Sequence, residues 1–305
     1  MQRSLSDLQN DFIERQIKKE TVKDNTGTEF AFNCKIGNVY FCPDNTIIDN
    51  GTTIFAYHVN KERYIIMDCY ILDLYENKFI KYQPEYSNIY EDPKDSFYDV
   101  FKNIEHINIR TNKDGSRVIY FLLSDGEAEI KIDRYNRIIK FKCNSLKEIG
   151  NNFMITNNSL LDIIIPRVEV IGDNFLYNNN TLEKIRLDSI ERIGDNFLYS
   201  NIILNNFIGY NTKYVGECFL FSNEKIKEIS LYMAKNIGPS CMASNRDLIY
   251  VDISGCDGLG DYSFYNAECV RTLYTNGRLK TGEGCFANDT GHSFEQFKVK
   301  TKGTL

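Results

Sequence analysis

The dipeptide Ile149-Gly150 returns every 22 residues, as Ile171-Gly172, Ile193-Gly194, Val215-Gly216, Ile237-Gly238, Leu259-Gly260 and Thr281-Gly282. No insertion disturbs the spacing. A fixed period of this length is the mark of a solenoid, because a unit this short cannot bury its apolar residues alone and must stack on copies of itself.

A second pattern runs in step with the first. Each repeat carries a triplet of the form L-x-x-I-x-L: Leu160/Ile163/Ile165, Leu182/Ile185/Leu187, Leu204/Phe207/Gly209, Ile226/Ile229/Leu231, Leu248/Val251/Ile253 and Val270/Leu273/Thr275. Counting back one period gives Ile138, Phe141 and Cys143, so the array starts near residue 138. Counting forward gives His292/Glu295/Phe297, a polar decay expected of a C-terminal cap. Four residues after the Ile stand Phe153, Phe175, Phe197 and Phe219, and Met or Leu follows each. Asn157, Asn179, Asn201, Asn223 and Asn245 recur eight residues after the Ile. They are expected to hydrogen-bond loop backbone, since each coil has buried peptide groups to satisfy. The Gly is expected at a tight turn or a close approach between coils.

Upstream, Lys113-Asp114-Gly115, Asp125-Gly126 and Tyr135-Asn136 separate four alternating runs between 104 and 143. This predicts an antiparallel meander of four strands. Residues 28–90 read as β-rich, with turns at Asp49-Asn50-Gly51 and Glu76-Asn77. The polar stretch EYSNIYEDPKDSFYDVF reads as a loop or short helix at the edge of the domain. Residues 4–20 place Leu5, Leu8, Phe12, Ile13 and Ile17 on one helical face. The expected division is an N-terminal helix over 1–20, a β-rich domain over 21–137 that caps the array, and the solenoid with its C-terminal cap over 138–305. The fold class is mainly β.

The strings IPRVEVIGDNFLYNNNTLEKIRL and SIERIGDNFLYS resemble the BspA-like bacterial leucine-rich repeat. The resemblance covers about 138–297. It implies a rigid, non-enzymatic scaffold for protein–protein interaction. Where many leucine-rich repeats carry Asn or Cys after the strand, this chain has Val168, Ile190, Thr212, Ala234 and Cys256, which favours the BspA-like class.

Strand alternation selects the outward side chains. They include Ile164, Arg186, Ile208 and Tyr274 between the last two core positions, Tyr210 and Tyr232 just past the strand, and Tyr250. These residues are the candidate partner-binding stripe. At about 4.8 Å per strand, seven rungs span roughly 30 Å.

Little else suggests chemistry. The three histidines, His58, His106 and His292, stand in separate segments with no metal-ligand spacing. Cys34 and Cys42 flank a turn without a base in register. GLGDYS at 258–263 and KTGEGCF at 280–286 fall at repeat turns and are not phosphate loops. No cofactor, metal or catalytic residue is expected. A net charge of −6 argues against a nucleic-acid binder, and no nucleic-acid partner is expected. Nine cysteines without a C-x-x-C fit a reducing compartment. The chain begins without a signal peptide and has no stretch of 18 apolar residues, so a cytoplasmic protein without membrane insertion is expected. Two other functions fit the sequence less closely. One is a phage or virus particle component that recognises host or subunit and is virion-associated. The other is an enzyme with its site in the N-terminal β domain.

Overall fold

A computed structural model describes residues 21–23, 29–31, 34–36, 39–41, 48–49, 54–55, 64–67, 70–81, 96–288 and 298–301. The expected helix over 4–20, His58, His292 and the triplet around Glu295 lie outside the described residues. The chain divides into two compact units, Met1–Ser87 and Asn88–Leu305.

The first unit is built of short antiparallel pairs. Thr21–Lys23 pairs with Glu29–Ala31, Cys34–Ile36 with Val39–Phe41, and Ile48–Asp49 with Ile54–Phe55. Tyr64–Met67, Tyr70–Asp73 and Lys78–Lys81 form a three-stranded sheet. The expected turn at Glu76-Asn77 closes its second hairpin, with Asn77 at φ 49°. Ile65, Met67, Tyr70 and Leu72 are buried.

The second unit joins the meander to the solenoid without a break. Ile104–Thr111, Arg117–Leu123, Gly126–Ile132 and Ile138–Cys143 form the expected antiparallel meander. The last of these strands then pairs in parallel with Asp162–Ile164, Phe141 lying opposite Ile163. Residue 138 is therefore where antiparallel pairing gives way to parallel pairing, inside one compact unit.

Each coil contributes to two parallel ladders. The first holds the L-x-x-I-x-L strands; from Lys184–Arg186 onward they form a six-stranded sheet. The second holds the Ile-Gly beat as two-residue strands, from Glu148–Ile149 to Lys280–Thr281, in a seven-stranded sheet. Both ladders step by 22 residues as far as Thr272–Thr275 and Lys280–Thr281, as in Ile185 opposite Phe207 and Ile171 opposite Ile193.

The glycines mark a close approach between coils. A Cβ on Gly216 would stand 2.6 Å from the carbonyl carbon of Gly194, and one on Gly238 would stand 2.5 Å from the oxygen of Gly216. The glycines thus pack on one another in a column.

The turn after the glycine forms a third set of bonds between coils. Asn196 N–H donates to Glu217 O and Ser200 N–H to Phe221 O in the next coil, while Leu198 N–H donates back to Phe175 O. This alternation places every second residue in the left-handed region, including Leu176 (φ 48°), Leu198 (51°) and Leu220 (53°). Such a conformation costs a non-glycine residue about 1–2 kcal/mol. It persists because these leucines are fully buried and their N–H groups are bonded.

Phenylalanine forms a spine through the core. Phe153, Phe175, Phe197 and Phe219 stack at 5.2–5.6 Å between ring centroids. Phe97, Phe101 and Phe141 extend the spine into the cap, Phe97 lying 5.9 Å and Phe141 5.3 Å from Phe153. The short helix Phe97–Val100 anticipated in the polar stretch is therefore part of the N-terminal cap. Ser96 fixes it to the first coil, donating its N–H to Asn151 O at 3.1 Å and its hydroxyl to Gly150 O at 3.0 Å. In the last coils the aromatic moves one place along the chain. Cys241/Met242, Ser263/Phe264 and Cys285/Phe286 replace the Phe/Leu pair, and Phe264 stacks on Phe286 at 5.3 Å. One large and one small residue still fill each of the last two layers, as volume conservation requires.

One expectation needs correction. The final strand, Lys298–Thr301, pairs with Thr272–Thr275 and sets Val299 opposite Leu273. The offset is 26 residues, so the last rung of this ladder is not the 22-residue step to Glu295. The ladder takes four more residues to reach its last rung than the period supplies.

Candidate protein-binding face

The outward positions divide into rows. Arg186, Ile208, Ser230, Asp252, Tyr274 and Lys300 lie side by side along the six-stranded sheet. Tyr250 stands in the neighbouring row, between Glu228 and Thr272. Tyr210 and Tyr232 occupy the position just past the strands, one coil apart. Ile164 belongs to the sheet that includes the meander, one rung before Arg186.

The seven candidate residues are not one continuous stripe. Tyr210 and Tyr232 pair at 5.9 Å between centroids, and both are exposed, at 38% and 39%. Tyr250 and Tyr274 pair at 5.4 Å and are half-buried, as are Ile164 and Ile208. Lys300 lies over the Tyr274 ring at 5.5 Å. Asp252 sits in this second group yet is buried at 4% exposure, with Ser254 N–H donating to its carboxylate at 3.1 Å. Arg186 is exposed and donates from Nε to Asp188 at 2.7 and 2.9 Å. That hydrogen bond, and then the Asp188 charge, hold the guanidinium above its ordinary range.

Two neighbouring features escaped the repeat pattern. On the meander's outer face Tyr120 and Leu122 are exposed at 41% and 44%. They line a hollow of about 290 Å³ with His106, Asn108, Glu127 and Glu129. The alternation in RVIYFLL carries the signal: Ile119, Phe121 and Leu123 face the core, so Tyr120 and Leu122 put apolar groups where a one-sided sheet normally carries polar ones. On the glycine side, a groove of about 450 Å³ runs over Gly172, Gly194 and Gly216. Asp173 and Asp195 line it, together with Tyr214, whose ring carries the Arg192 guanidinium at 5.2 Å.

Chemistry is sparse among the described residues. No group of three or more His, Cys, Asp or Glu is placed to hold a metal. Burial pushes the Cys256 and Cys285 thiols up to about 11, which leaves them protonated and unreactive at neutral pH. Asn157 and Asn179, followed two places on by Ser159 and Thr181, have a structural role. Each Asn accepts from the backbone N–H of Ser159 or Thr181, whose hydroxyl donates to the preceding coil, at Ile138 O or Leu160 O. Asn223 and Asn245 work differently: each donates from Nδ2 to a carbonyl 25 residues earlier and accepts from the backbone N–H of the Asn one coil before. No helix among the described residues is long and apolar enough to cross a membrane.

The coils form a solenoid of 22-residue leucine-rich repeats, as their register and strand motif show. Among solved structures, a leucine-rich repeat protein from Bacteroides ovatus ATCC 8483 is similar. It is 13% identical, over 65% of this chain and 78% of that one, with a TM-score of 0.34, a superposition too loose to add to what the coils themselves establish. No family model matches the chain, and no curated protein does.

Proposed function

We propose that the chain is a non-enzymatic scaffold that captures a protein partner on the outward face of its parallel strands. The observation that carries this reading is the exposed Tyr210–Tyr232 pair, held one coil apart on adjacent rungs. Tyrosine supplies large contact area at low entropic cost and is enriched where proteins meet. The rungs below are fixed by hydrogen bonds and core packing, so little ordering remains to be paid for on binding. The exposed Arg186–Asp188 pair lies at the edge of this patch and offers a polar rim.

The test is affinity capture from the native source with wild type and a Tyr210→Ala/Tyr232→Ala variant, both checked for the same melting curve. Truncating two central tyrosines is expected to weaken capture at least tenfold, since interface anchors contribute more than about 1 kcal/mol each. Equal capture by the folded double variant contradicts this face.

A further inference from the structure

The dipeptide Asn-Gly occurs at Asn50-Gly51 and at Asn276-Gly277. It is reactive because glycine has no side chain to keep its backbone nitrogen away from the preceding amide carbon. Asn276 follows the strand Thr272–Thr275 and is half-buried, while Gly277 is exposed to water. The Asn276 amide clamps two coils together. Its Nδ2 donates to Cys256 O and to Asp257 Oδ1, each at 2.8 Å, one coil back. Its Oδ1 accepts the Arg278 N–H at 2.8 Å. Gly277, at φ 75°, donates its N–H to Oγ1 of the buried Thr275 at 3.2 Å. Nucleophile and amide are thus both held. For the Gly277 nitrogen to close on the Asn276 Cγ, the amide must turn and its bonds to Cys256 and Asp257 must break.

We propose that Asn276-Gly277 is a self-modification site that records opening of this coil: deamidation is blocked while the clamp is shut, and once it occurs the clamp cannot re-form. The Gly277 nitrogen attacks Cγ, the new N–C bond closes a succinimide ring, and the Cγ–Nδ2 bond breaks. Ammonia leaves with Nδ2, its two hydrogens and the proton given up by Gly277. Water then opens the ring at either carbonyl, leaving an aspartate or an isoaspartate at position 276. The product has lost the donor. A carboxylate now faces the Cys256 carbonyl and the Asp257 carboxylate, so two acceptors lose their partner and like charges meet. The strands joined through this turn, Thr272–Thr275 and Lys280–Thr281, should loosen, and with them the pairing of Lys298–Thr301 on Thr272–Thr275. The site lies apart from the Tyr210–Tyr232 pair and does not depend on the partner reading.

The full chain is aged in native buffer and in urea, and the conversion of amide to acid is followed by mass spectrometry of tryptic peptides. In urea Asn50 and Asn276 should deamidate at matching rates, so Asn50 serves as the reference. In native buffer Asn276 should react at least about tenfold more slowly than in urea, because two hydrogen bonds, one of them to a carboxylate, must break before attack. Asp257→Ala, its fold confirmed by circular dichroism, should raise the native rate severalfold and leave the rate in urea unchanged. Asn276→Asp sets the product in place without any reaction. Hydrogen exchange should be faster in its Thr272–Thr275 and Lys280–Thr281 strands and unchanged at Ile171 and Ile193. Equal native and urea rates at Asn276, a native rate indifferent to Asp257→Ala, or wild-type exchange in the Asn276→Asp variant overturns the proposal.

Discussion

Gly216 explains why the Ile-Gly beat cannot drift. Its φ is not left-handed, so the constraint is space and not backbone conformation. Its missing Cβ would lie 2.6 Å from Gly194 C and 2.7 Å from Gly194 O, which are backbone atoms locked in the preceding coil. Gly216→Ala should therefore cost about 1–3 kcal/mol, as overpacking does. Gly258→Ala is the control, because its Cβ would meet only Asn236 Oδ1, at 3.3 Å; it should stay within about 0.5 kcal/mol of wild type. Thermal melts of the two variants decide it, and equal melting points would remove the steric reading. The asparagine column shows what a residue pattern leaves out. The spacing gave its burial and its backbone bonding, but the column has two bonding modes, set by whether Ser or Thr stands two places on. Between the two modes, Asn179 Nδ2 and Asn201 Oδ1 remain buried without a partner. No single-residue periodicity reveals such a junction.

Among the elements, strand register was the most readable. The triplets, the meander hairpins and the step back to Phe141 all follow from apolar spacing, and the structure pairs Phe141 with Ile163 as that spacing requires. What spacing could not give was the identity of the cap. Phe97 and Phe101 lie in a polar stretch with no period, yet they close the spine on Phe141 and Phe153. The final rung was misplaced for a related reason: four inserted residues break the count where the sequence ceases to repeat. The candidate stripe was found by alternation, but its division into two tyrosine pairs depends on ring directions that alternation does not fix. Because Phe141 touches Phe97, Phe101 and Phe153, cap and array share one core. Phe141→Ala should lower the stability of the 88–305 unit by about 3–5 kcal/mol, the usual cost of an emptied phenylalanine site. Denaturant melts should show one shifted transition; a new early transition with the main one unmoved would mean that cap and array unfold separately.

Seen whole, the second unit turns a chemical period into a surface. Each coil repeats the same inward set, so each coil also repeats the same outward positions, and the partner-facing residues vary on a constant frame. The functional reading rests on that frame being correct to the residue. Ile185 and Lys184 test it together, because they are neighbours in one strand on opposite faces: Ile185 is buried at 3% exposure and Lys184 is exposed. Ile185→Asp places an unpaired carboxylate in the core and should cost several kcal/mol, about 4 or more. Lys184→Asp should leave the melting temperature almost unchanged. Thermal melts of the pair showing a collapse for Ile185→Asp alone are the predicted result. Equal melting for both, or a collapse on changing Lys184 instead, would contradict the register and with it the assignment of the binding face.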